Sequence, residues 1–346
     1  MKKVSIIGIS IIFVVFSFIS CGKKAKAPEA GSASPEDMLS MLPADLTGVI
    51  VIDAHRAMTT KMVSDFIEKD ENYKEYQEFI DKTGLDPQKD IYFLAVGISE
   101  NIKEEDEEYV YGGKTKVGAV LNLKYDKESL LALIKEKQEE EEKKELIEEQ
   151  YKGFTLYTPE DEDEDFMMAF LDESNMALGT ADGIKSVIDV YQKEAANVFK
   201  NENLYALISD VNRKAMVWGA FTLSEIRKET MVKDNPMFQA LKGVSSIAMF
   251  FDYKNANLSA EIKVNSIDET KNKKVVEFLI GIKSFGAMAA EENPEIGEII
   301  NKIEITSGTD HVKVSANIPE ELLQKLKAES ESESETETET EIKKDK

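Results

Sequence analysis

Between about Met38 and Ala328 the chain switches repeatedly between two hydrophobic periods. Short β-branched and aromatic runs bounded by Gly, Pro or Asn signal strands. Longer stretches with apolar residues three or four apart signal helices. Gly48-Val-Ile-Val-Ile-Asp-Ala54 predicts a first strand. A helical pattern from Ala57 to Lys82 follows. It stops at Gly84-Leu85-Asp86-Pro87, where glycine permits a left-handed end and proline blocks continuation. Ile91–Ile98 and Lys116–Leu123 predict the next strands, separated by an acidic insertion at 99–115. A long helix is expected from about Lys127 to Glu149. Strands at Phe154–Thr158, Phe166–Leu171 and Met176–Gly179 come next, then a helix from Ala181 to about Gln192. Residues 197–213 hold one more short helix.

The order then recurs. Met216–Thr222 predicts a strand, and Ser224 to Leu241 a helical segment broken at Asn235-Pro236 and closed by Gly243. Strands Val244–Tyr253 and Leu258–Val264 are joined by the short loop Lys254-Asn-Ala-Asn257. Ser266-Ile-Asp-Glu269 has the spacing of a capping box ahead of a helix that runs to about Ala290. Strands Lys302–Ser307 and His311–Ala316 and a helix from Pro319 to Lys327 complete the series. In the last strand Val312, Val314 and Ala316 alternate with His311, Lys313 and Ser315, as a sheet with one buried face requires. Strand runs joined by tight hairpins and separated by helices predict an α+β fold. The expected arrangement is two diverged repeats, 41–213 and 214–328, each a largely antiparallel sheet with helices packed on one face.

Charge narrows the function classes. The 346 residues include 43 Lys+Arg and 67 Asp+Glu, a formal charge of −24. That acidic excess argues against nucleic-acid binding, which needs a basic face to neutralise phosphates. One cysteine excludes an internal disulfide framework and a cysteine-based zinc cluster.

The N-terminus reads as an address. Lys2 and Lys3 precede a nearly unbroken apolar run, Ile6 to Ile19, which suits a secretory h-region and is short for a membrane span. The sole cysteine stands directly after it, in Phe18-Ile19-Ser20-Cys21-Gly22. This segment resembles the lipobox of bacterial lipoproteins, with small Ser20 before the cysteine and Phe18 where that family usually has Leu. The resemblance implies cleavage before Cys21 and its acylation. Gly22, in place of an inner-membrane-retaining Asp, leans toward the outer membrane, facing the periplasm or the cell surface. Residues 1–20 are then a signal peptide, and 21–40 the lipidated cysteine and a small, polar, Pro-containing tether. Residues 329–346 alternate Glu with Ser or Thr before a short basic end. They lack the apolar residues needed to offset ordering and are expected to be a disordered acidic tail. The body, from Leu42-Pro-Ala-Asp45 through Thr83-Gly-Leu-Asp-Pro87, resembles uncharacterised secreted bacterial proteins with a domain of unknown function.

Candidate chemistry is sparse. His55 and His311 stand beside Asp53 and Asp310 without a metal-ligand spacing around either. Gly112-Gly-Lys-Thr115 lacks the earlier glycine of a phosphate loop and is followed by a strand. No nucleophile elbow or dinucleotide fingerprint is present. Acidic clusters are the one localised signal. Glu104, Glu105, Asp106, Glu107 and Glu108 in the insertion, with Glu145 and Glu149 at the predicted helix end, form a candidate weak Ca²⁺ site. Solvated charge, with Lys135, Lys137, Lys143 and Lys144 compensating along the helix, is the preferred explanation of them. Two Met-rich runs, Phe166–Leu171 and Ile247–Phe251, suit either a core or the wall of an apolar cavity. The chain therefore reads as a lipid-anchored envelope protein and non-catalytic binding module, whose partners are the membrane and an envelope protein or hydrophobic ligand. A carrier or chaperone for a lipid, and a hydrolase with an unrecognised site, are the alternatives.

Overall fold

A computed structural model describes residues 33–69, 73–100, 102–105, 108–111, 115–140, 146–158, 166–224, 228, 236–290 and 294–326. The fold is mixed helix and antiparallel sheet, as its periodicities predict. The chain divides into two compact units: residues 1–101 with 113–205, and residues 102–112 with 206–346.

Unit 1 begins earlier than the sequence suggests. Helix α1 (Pro35–Ser40) lies within the segment read as tether. Ser34 and Asp37 cap it reciprocally, and Met38 and Leu39 are fully buried. Strand β1 (Gly48–Asp53) leads into three helices, α2 (Ala54–Met58), α3 (Lys61–Lys69) and α4 (Tyr73–Thr83), where a single long pattern was expected. Thr59 caps the end of α2, its hydroxyl donating to the His55 carbonyl, so the helix closes after little more than a turn. After Gly84 (φ 70°), Asp86 caps the one-turn helix α5 (Pro87–Asp90).

Strand β2 (Ile91–Ser99) follows. The acidic insertion carries a hairpin, β3 (Ile102–Glu105) with β4 (Glu108–Tyr111). Then come β5 (Lys116–Leu123) and α6 (Lys127–Glu140). The long helix expected here ends early: Ile147–Tyr151 is strand β6. Its cause lies downstream. Lys152 and Gly153 both take positive φ (47° and 86°), a two-residue hairpin turn that pairs β6 with β7 (Phe154–Thr158). Strands β8 (Phe166–Phe170) and β9 (Asn175–Thr180) and helix α7 (Ala181–Tyr191) fall where the sequence places them. The strand order is β1-β2-β5-β9-β8-β7-β6, antiparallel throughout.

Helices cover both faces of this sheet, where one covered face was expected. On one face, Phe79 and Ile80 of α4 and Leu130 and Leu133 of α6 pack on Leu94, Val96, Ala119, Leu121 and Met176. On the other, α7 lies so close that a Cβ on Gly183 would sit 1.9 Å from the Val117 carbonyl oxygen. Ile184, Val187 and Ile188 of α7 are fully buried there, as are Val49, Ala95, Val120 and Ala177 of the strands. The physical reason is in the strands themselves: β2 and β5 carry small or apolar side chains on both sides, so either face left bare would expose a core. The chain after α1 is tied to the end of the unit. Asn201 Nδ2 donates to the carbonyls of Ala44 and Leu46, and the Val198 amide to that of Leu42.

Helix α8 (Glu202–Asp210) spans the boundary between the units. In unit 2, β10 (Val217–Thr222), a 3₁₀ segment (Pro236–Gly243), β11 (Val244–Tyr253) and β12 (Asn257–Ser266) lead to helix α9 (Glu269–Ala289). The cap of α9 is Asp268, which accepts from the Lys271 amide; Ser266, the expected cap, still belongs to β12. Helix α10 (Pro294–Asn301), β13 (Ile303–Ser307), β14 (His311–Pro319) and a final helix at 320–326 follow. Pro319 ends a strand rather than starting a helix. The order is β10-β11-β12-β14-β13. One face packs Val244, Val264 and Val312 under Val275 and Leu279 of α9. On the opposite face of the same strands, Glu261 pairs with Lys313 at 3.1 Å and Lys263 with Asp210 at 2.5 Å.

Candidate functional site

The predicted acidic site is not assembled by the described residues. Glu104 and Glu105 lie on β3 and Glu108 on β4, with Glu105 paired to Glu108 across the hairpin. Asp106, Glu107 and Glu145 lie outside the described residues. Glu149 is on strand β6, not at a helix end, and its carboxylate pairs with Lys185 at 2.8 Å. Among the described residues no group of three or more His, Cys, Asp or Glu could hold a metal ion. Cys21 also lies outside them, as does the acidic tail.

The histidines belong to different units. His55, exposed on α2, lies with its ring 5.8 Å from that of Tyr92. His311 Nδ1 is 2.9 Å from Asp310 Oδ1, which lowers that carboxyl. The first Met-rich run, Phe166–Leu171, divides between the faces of its sheet. Met168 and Phe170 pack on the unit 1 core, and Ala169 is fully buried on the other side. These side chains are spent on packing.

Two polar clusters are built with care. At the β8–β9 turn, burial pushes the Asp172 carboxyl up. Hydrogen bonds from Asn175, from the Ser174 amide and from Tyr191 outweigh burial, so the net shift is downward. Burial, with this same bond to Asp172, holds the Tyr191 phenol up at about 12. The Tyr125 hydroxyl donates to the Asp172 carbonyl. At the β6–β7 turn, Lys152 donates to Asp189 at 2.6 Å and Glu194 at 2.5 Å, and these two bonds raise its ammonium pKa. Both clusters pin hairpins to α7 or its C-terminal end. Each fastens a hairpin of unit 1 in place.

The feature the sequence reading missed is on α9. Ile280, Ile282, Phe285 and Met288 are 50%, 47%, 75% and 69% exposed. Over Phe278–Ala290 the one charged residue is Lys283, and its Nζ donates to the Ile303 carbonyl at 2.6 Å. The stretch Phe278–Ala290, apolar all round but for Lys283 and Ser284, was the signal available in the sequence.

A family model for proteins of unknown function (DUF3352) matches residues 71–303. The chain belongs to that family. Its match to this DUF3352 protein reaches from α4 through the first residue of β13. No curated protein matches. Solved structures with a similar course include two crystal forms of TP0453. Form I has a TM-score of 0.45 at 10% identity, covering 85% of this chain and 96% of that one. Form III has 0.44 at 9%, covering 83% and 96%. No helix among the described residues is long and apolar enough to cross a membrane.

Proposed function

We propose that this DUF3352 protein is a lipid-anchored bacterial envelope protein whose body is a non-catalytic binding module. The observation that carries this reading is the sole cysteine, Cys21, placed directly after the apolar run Ile6–Ile19. Only a short small-residue linker separates it from the capped start of α1 at Ser34. Two or three acyl chains hold a protein stably at a bilayer, at about 0.8 kcal/mol per buried CH₂. Such an anchor needs no spanning helix.

The body is read as two repeats. In support, both units place their first, second, third, last and penultimate sheet strands side by side in that order: β1-β2-β5-β9-β8 and β10-β11-β12-β14-β13. Unit 1 extends the plan by the hairpin β6–β7. Each long helix follows the third strand of its unit.

Mass spectrometry of the mature N-terminus tests the anchor. The expected product begins at Cys21 with acyl groups on sulfur and amine, and Cys21→Ser abolishes palmitate uptake. A mature chain starting elsewhere, or a bare Cys21, overturns the reading.

A further inference from the structure

We infer that the outward face of α9 docks on the lipid bilayer, so that the body lies against the membrane instead of swinging on its tether. The inference rests on the anchored reading above and names what the module touches. Helix α9 already has an inward face: Val275, Val276 and Leu279 pack on β11, β12 and β14, and α10 lies beside it, with Ile300 against Gly286. At 3.6 residues per turn, Phe285 points about 180° away from Val276, with Ile282 and Met288 about 60° to either side. These are the large exposed apolar side chains of the helix together with Ile280 on its flank. The only charge in this stretch, Lys283, is folded inward onto the Ile303 carbonyl, so nothing ionic interrupts the outward stripe. The exposed N-terminal half is different: Glu269, Lys273 and Lys274 project there, and Lys273 pairs with Glu269 at 3.0 Å.

Two facts favour lipid over a second copy of the chain. A stable protein interface takes roughly 20–30 residues a side, and this stripe offers four large ones over less than three turns. Self-association would also bring together two chains of formal charge −24. Lipid needs no matching surface. Between Cys21 and Ser34 lie 12 residues, a reach of at most ~3.6 Å each when extended. Such a tether keeps the whole body close to the bilayer and strengthens, through local concentration, a contact that the free chain already makes.

The test uses the full mature chain, acylated and as Cys21→Ser, with vesicles of phosphatidylcholine alone. The unacylated chain is expected to float with vesicles, and Phe285→Glu to lower the bound fraction about tenfold. An environment-sensitive fluorophore on Phe285→Cys in the Cys21→Ser chain should shift to the blue on adding vesicles, and the same probe on Lys273→Cys should not. No flotation and no shift at position 285 overturns the inference, as does a dimer in sedimentation that Phe285→Glu abolishes. Acylated Cys21 with no effect at Phe285 leaves the anchor standing and removes the docking. Unmodified Cys21 with Phe285-dependent flotation does the reverse.

Discussion

The two units share a strand order and use their sheets differently. Unit 1 buries both faces. Its strand β5 reads Val-Gly-Ala-Val-Leu-Asn-Leu from 117 to 123 and is apolar or small on both sides, under α7 and under α4 with α6. Unit 2 buries one. Its strand β14 alternates Val312, Val314 and Ala316 with Lys313, Ser315 and Asn317, with α9 on the apolar side. The lesson is that a strand is covered on one face or on both according to whether its side chains alternate between apolar and polar. Unit 2 also leaves apolar side chains of α9 in the open.

The sharpest way to break this comparison is to add one methyl group to a helix in each unit. Gly183→Ala forces a Cβ against the Val117 carbonyl and should cost unit 1 about 3 kcal/mol. Gly281→Ala on α9 meets nothing within 4 Å and should stabilise unit 2 by roughly 0.5–1 kcal/mol, through the better helix propensity of alanine. Urea unfolding with hydrogen exchange mapped to each unit reads both. Equal responses would mean that α7 is not seated as described.

A second difference is electrostatic. Asp172 has its folded-state pKa below that of the unfolded chain. Its stabilising contribution is therefore whole above about pH 4 and is lost as the pH falls through the folded value. Asp172→Ala should cost unit 1 about 2 kcal/mol at neutral pH, and the gap to the parent should narrow in acid. Tyr191, pushed up to about 12 by burial and by Asp172, contributes below about pH 10 and loses that contribution as the pH rises through about 12. Denaturation of parent and variant across this range, followed at the α7 amides, checks the sign.

The smallest expected effect concerns the turns. Unit 1 places Gly153 at a positive φ in its β6–β7 hairpin. In unit 2 the β11–β12 hairpin places Ala256 at φ 54°. Ala256→Gly should relieve that strain and raise stability by about 0.5–1 kcal/mol, read as a shift in the urea midpoint. A loss of stability would show that the alanine methyl group is packed.

Most strand and helix positions were legible because period and turn chemistry are local. β2, β5, β8, β9, β11 and α7 lie within a residue or two of where their patterns put them. Strand β6 was not: Ile147-Glu-Glu-Gln-Tyr151 follows a glutamate-rich helix smoothly, and only its pairing with β7 draws it into the sheet. The start of α1 was missed for a related reason. Its six residues are too short for a period, and Met38 and Leu39 declare themselves only by being buried. The candidate acidic set was chosen from nearness along a helix that ends at Glu140, and the structure gives Glu149 to Lys185 instead.

The sequence by itself determined the class of fold, the order of its elements, the excess of negative charge and the candidate anchor at Cys21. These depend on residues that are neighbours in the chain. Tertiary structure decided how many faces of each sheet are covered, which carboxylates are already paired, and that the last turns of α9 are left in the open. Those outcomes depend on which apolar surface finds a partner. A helix that is apolar all round carries no mark of the side its sheet will take, because burial is a property of the pair and not of the strand or helix alone.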